Sequence, residues 1–130
     1  MRTIMRLLIA ALILFPSLTL GHSMQPGFEV ERTYEEIFSK SYELTNHYDF
    51  PAVYEVEVLN KDRTPAKGWK SDKVTYKLLP NSKRLINLKF KTEGKRKLLV
   101  CSTLTEVGKN DEKASIISRV CSRLIIHSLR

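Results

Sequence analysis

Side chains that do chemistry are scarce in this sequence: 130 residues contain two cysteines, three histidines and five glycines. Cys101 and Cys121 do not form a C-x-x-C, which disfavours dithiol exchange. Two thiols need histidine help to make a zinc site, and His47 and His127 stand alone without ligand spacing, so no metal is expected. There is no glycine-rich phosphate loop, no G-x-S-x-G elbow and no H-E-x-x-H. Glu35-Glu36 and Asp111-Glu112 are neighbours in sequence and would point apart on a strand. They read as loop charges, not as an acid/base pair. Neither an enzyme nor a cofactor is expected from such a composition. Repeats and low-complexity linkers are also missing.

Long apolar runs are missing with one exception. MRTIMR carries Arg2 and Arg6, LLIAALILF (Leu7 to Phe15) follows, Pro16 breaks the run, and Thr19, Gly21 and Ser23 are small. That is a secretory signal peptide, read here as residues 1–23, with cleavage after Gly21 fitting as well as cleavage after Ser23. His22 would leave with the longer leader. The run is too short to cross the hydrocarbon core as a helix, and no second one follows, so no stable membrane anchor is expected. The mature domain is read as residues 24–130. Its formal charge is +6, the chain's +8 less Arg2 and Arg6. For an exported chain the excess is a solvated basic surface or a preference for carboxylates, not a nucleic-acid site.

What the sequence does have is strand alternation. AVYEVEVL (Ala52 to Leu59) sets Tyr54, Val56 and Val58 against Glu55 and Glu57, and RLINLKFK (Arg84 to Lys91) sets Ile86, Leu88 and Phe90 against Asn87 and Lys89. Turn formers bracket both. Weaker strand candidates are FEVERTY (28–34), SYELTN (41–46), KVTYKLL (73–79), KLLVCSTLTEV (97–107) and ASIISRVCSRLIIH (114–127). YEEIFSKSYEL could instead be a helical turn. The basic KFKTEGKRK (Lys89 to Lys97) reads as a hairpin tip, and Trp69 as a partly buried aromatic near an edge. The pattern predicts an all-β fold, a single immunoglobulin-like, seven-stranded antiparallel β-sandwich.

Export implies an oxidising compartment, where the two cysteines are expected to be bonded. If GKNDEK is the turn between the last two strands, antiparallel partners have numbers summing to 222. Cys101 and Cys121 then face each other at ~4.5 Å between Cα atoms, within disulfide reach. The same register sets Leu98–Leu124, Val100–Ser122 and Ser102–Val120 on one face, and Leu99–Arg123 and Thr103–Arg119 on the other.

FEVERTYEEI, TNHYDFPAVYEVEVL, KVTYKLLPNSKRLINLKF and KRKLLVCSTLTEV with ASIISRVCSRLIIHSLR together resemble the N-terminal immunoglobulin-like domain of periplasmic pilus (chaperone–usher) assembly chaperones. The resemblance covers roughly residues 26–130. It implies a bacterial periplasmic location and a pilin-like protein subunit as partner, bound by strand addition along the last strand. In that family an arginine of the first strand and a lysine of the last hold the subunit's terminal carboxylate. Arg32 matches the first, with Tyr34 competing by another alignment, and Arg123 matches the second. The donor face implied is Ile116, Ser118 and Val120, continuing through Ser122 and Leu124. Exposed edge charges are the other reading of Arg32 and Arg123, and sandwich core is the favoured reading of Leu124. The family has two such domains and this chain ends after the equivalent of the first, so a second chain replacing the other is an expectation. The alternative function is a structural or adaptor domain of a secretion or surface assembly.

Overall fold

The protein, seen in a computed structural model, is described over residues 21–107, 112–113 and 118–130. Residues 1–20, most of the expected signal peptide, and Ile116 lie outside the described residues. Among the described residues ten strands run as β1 His22–Gln25, β2 Phe28–Thr33, β3 Ile37–Asn46, β4 Ala52–Asn60, β5 Trp69–Ser71, β6 Thr75–Leu78, β7 Lys83–Lys91, β8 Lys95–Val107, β9 Glu112–Lys113 and β10 Arg119–Ser128. No helix occurs among the described residues, so YEEIFSKSYEL resolves as strand β3 and the loop before it.

The strands form two open sheets. One has the order β1-β3-β7-β5, and the other β2-β10-β8-β4-β6 with β9 beside β8. Two faces that alternate apolar and polar must bury their apolar sides against each other, and here they do. Tyr42 and Leu44 of β3 and Ile86, Leu88 and Phe90 of β7 pack against Tyr54, Val56 and Val58 of β4, Val100 of β8, and Leu124 and Ile126 of β10. The alternation in β4 and β7 thus faces the way it predicts. Each such side chain contributes roughly 1.5–3 kcal/mol when fully buried.

The immunoglobulin-like sandwich stands, but with more strands than seven. β1 was hidden by the leader reading, and β5 and β9 are three and two residues long, too short for periodicity to register. The first strand is divided: β1 pairs with β3 in one sheet, the chain passes through a cis Gln25–Pro26 bond, and β2 pairs parallel to β10 in the other. Lys89 to Lys97 is not a hairpin tip. β7 and β8 belong to different sheets, and the chain crosses between them at Gly94, whose φ of +56° suits a residue without Cβ. Arg96 clamps this crossing, donating to the Lys67 carbonyl at 2.6 Å and the Lys91 carbonyl at 2.9 Å.

The cysteine register is as the sum requires. Cys121 faces Cys101, Arg119 faces Thr103 and His127 faces Lys95. The disulfide is formed, with the Cα atoms 4.0 Å apart. Nearer the turn the pairing slips: Glu106 meets Lys113 and Val107 meets Glu112, sums of 219, so one register does not serve the whole hairpin.

Candidate functional site: the last strand and its outer face

The edge of β10 is open over its first half. On one side β10 pairs with β8 from Arg119 to His127. On the other, β2 covers it from Arg123 to Ser128 only. The Arg123 amide donates to the Gly27 carbonyl at 2.9 Å, the first bond of that cover, while the Ser118 carbonyl accepts from Leu104 of β8. Backbone groups alternate sides along a strand. The N–H and C=O of Arg119 and Cys121 therefore point to the open side, where no described strand lies.

Side chains alternate as well. Ser122, Leu124 and Ile126 are buried between the sheets, and Val120 is half-buried against the core. Ser118 and Val120 share their parity, so the implied donor face is the inward face of the strand. Leu124 is core. Arg119, Cys121, Arg123 and Ile125 form the outward face.

The register sets Arg32 opposite His127 and Arg123 opposite Phe28. The two arginines share the outward face but stand four residues apart along the strands, about 13 Å between Cα positions. The structure does not bring them together at one point. Arg123 instead joins a groove of about 640 Å³ on the outer face of β10 and β8, whose walls include Lys61, Arg63, Lys97 and Arg119. Arg119 donates to Glu57 at 2.9 Å and to the Thr103 hydroxyl at 3.1 Å. Apolar surface from Phe28, Leu99 and Ile125 completes it. The hairpin register already places Leu99, Arg119 and Arg123 on this face; sequence reasoning missed Lys61, Arg63 and Lys97, because the first two lie far from Lys97 in the chain and only the sheet order gathers them.

Strand β2 is amphipathic in the reverse sense. Phe28 and Val30 face solvent, 58% and 46% exposed. Glu29 and Glu31 face inward, where Lys40 of β3 forms ion pairs with both. Burial lowers the Lys40 pKa from its ordinary value. Among the described residues, no group of three or more histidine, cysteine or acidic side chains is placed to hold a metal.

No family model and no curated protein matches the sequence. Solved structures do match in fold. The E. coli chaperone DraB superposes with a TM-score of 0.65 at 13% identity, over 85% of this chain and 56% of its own. The SafB chaperone of Salmonella enterica, solved with the SafA pilin, gives 0.68 at 10% identity, over 88% and 57%. A PapD-like domain of human CEP192 gives 0.62 at 12% identity, over 90% and 91%. The chain thus spans a little over half the length of the two chaperones. At such identities the likeness is one of fold, and the fold is the immunoglobulin-like sandwich that these chaperones contain.

Proposed function

We propose that the protein is a periplasmic, chaperone-like binder of pilin-like or other extracytoplasmic subunits, which it takes up by β-strand addition along β10. The observation that carries this reading is the open edge at Arg119–Ser122. An unpaired strand edge is a template for another chain's backbone, and here it ends abruptly where β2 begins. The inward-facing Val120 and its neighbours would meet the incoming chain's apolar side, and Arg123, at the end of the open stretch, would receive a carboxylate. The fold shared with pilus chaperones supports the reading, as does the leader-like N-terminus, which implies export.

The test uses the protein exported with an affinity tag, captured from the periplasm together with whatever copurifies stoichiometrically. Arg119→Pro removes an amide that points to the open side and leaves the β8 ladder intact, the one place in a sheet where proline is tolerated. A subunit retained by the wild type and by Arg119→Ala, lost with Arg119→Pro, and degraded in cells lacking this protein is the expected result. Retention by Arg119→Pro would contradict strand addition. Arg123→Ala and Arg32→Ala separate the anchor residues: if both bind normally, the carboxylate anchor is wrong.

A second reading, a structural or adaptor domain, draws on the single-domain likenesses. The chain covers 91% of the CEP192 domain and 99% of a C. elegans MSP family member. An adaptor would hold a partner that is stable without it.

A further inference from the structure

We propose that the groove on the outer face of β10 and β8 is a docking site for an extended, acidic segment of a protein partner. The groove is a face of the sheet, whereas strand addition uses its edge, so this inference does not require the preceding one.

Three observations converge on the groove. The reversed strand β2 turns its carboxylates inward and leaves Phe28 and Val30 in solvent. Phe28 continues into Leu99 and Ile125, giving the groove an apolar floor. Around that floor stand Lys61, Arg63, Lys97 and Arg123, and no carboxylate among the described residues lies within ion-pair distance of any of them. Only Arg119 is matched, by Glu57. Like charges gathered this closely repel one another, and an anionic occupant relieves that.

The shape selects among anions. The cations line the walls of a concavity, while a flat bilayer meets protruding side chains best. A volume of about 640 Å³ holds a short length of chain but not a folded domain. Outward positions along β10 recur every second residue, close to 7 Å, which is also the same-face repeat of an extended peptide. Carboxylates alternating with apolar side chains would match cations and floor in turn.

The probe is a fluorescein-labelled peptide of about ten residues, long enough at ~3.3 Å per residue to span the groove. It is acetylated and amidated, with glutamate at alternate positions and leucine, phenylalanine and serine between them. A second peptide replaces each glutamate by glutamine. Binding is followed by fluorescence anisotropy at low and high salt. The acidic peptide should bind at least about tenfold more tightly than the neutral one, a margin that salt removes. The double variant Lys61→Glu/Arg63→Glu, whose side chains make no hydrogen bond or ion pair among the described residues, should lose roughly tenfold or more, and Phe28→Ser should weaken binding. Melting curves matching wild type show that these variants fold. Arg119→Pro should bind as Arg119→Ala does, because both remove the same groove cation and only the proline removes an amide of the edge. Equal binding of the two peptides, or full binding by the double variant, overturns the proposal. So does binding by Arg119→Ala but not by Arg119→Pro, which would mean strand addition. Binding of phosphatidylglycerol vesicles to wild type but not to the double variant, with no peptide binding, assigns the face to lipid and also overturns it.

Discussion

Asn46 is fully buried, and each end of its amide is used. Its Nδ2 donates to the carbonyls of Phe50 at 3.0 Å and Leu79 at 3.1 Å, and its Oδ1 accepts from the Tyr48 amide at 3.1 Å and the Tyr54 hydroxyl at 2.9 Å. One side chain thus ties the end of β3 to the loop before β4 and the loop after β6. Asn46→Ala leaves several buried partners unsatisfied and is expected to cost roughly 3 kcal/mol in denaturant unfolding. Two tyrosines give a sharper contrast. Tyr54→Phe should lose about 1 kcal/mol with its bond to Asn46, whereas Tyr42→Phe should lose nothing, because the buried Tyr42 hydroxyl has no partner among the described residues. His22 adds a pH dependence. Its Nε2 lies 3.1 Å from both the carbonyl and the hydroxyl of Ser102, and its ring packs on Tyr54. Burial, chiefly, lowers its pKa from 6.5; the bond to Ser102 opposes the shift and His47 adds to it. The unfolded chain therefore takes up a proton as pH falls through 6.5 before the folded chain does. Stability is expected to be full above that value and to decline below it. Melting temperatures measured about one unit on either side should show the decline in wild type and less of it in His22→Gln; an equal decline in both would contradict this role.

Single strands show which parts of the fold were legible in the sequence. β4 and β7 were, because each alternates with an apolar run on one face, Tyr54, Val56 and Val58 in β4 and Ile86, Leu88 and Phe90 in β7. The β8–β10 register was legible because a bond between the two cysteines fixes it. β2 was only half legible. FEVERT alternates, but alternation does not say which face is inside, and apolarity alone would bury Phe28 and Val30. The parallel register with β10, which pairs Glu29 with Leu124 and Glu31 with Ile126, decides the matter, and no local signal encodes it. β1 was lost because small residues before a strand look like a cleavage site. Its place in the sheet favours the shorter of the two leaders that the sequence allows: His22 is buried and pairs with Asn46, and Ser23 with Thr45. Intact mass of the exported protein is expected to place the new N-terminus at His22; a start at Met24 would remove that buried ring. At the hairpin, the Cys101–Cys121 bond closes a separation of 20 residues. Its reduction, or a double serine substitution, should cost about 3 kcal/mol in unfolding. No loss would mean that the pairing of β8 with β10 holds the register unaided.

For the molecule as a whole, β2 covers only part of one side of β10 among the described residues. β10 contributes to the core through Leu124 and Ile126, to a basic outer face through Arg119 and Arg123, and to an open edge through the backbone of Arg119 and Cys121. The division follows from where β2 starts. A longer β2 would close the edge, and a shorter one would expose Leu124 and Ile126. Leu124→Ala is accordingly expected to destabilise the fold by roughly 2–5 kcal/mol, so a binding defect in that variant reports on folding rather than on the edge. The amides of Arg119 and Cys121 report on the edge itself. Their hydrogen exchange, measured with and without the subunit that copurifies from the periplasm, tests the central claim most directly. In the free protein both should exchange fast, and in the complex both should be protected as ladder partners. Fast exchange in the complex, with protection elsewhere on the surface, would mean that the partner binds without adding a strand to β10.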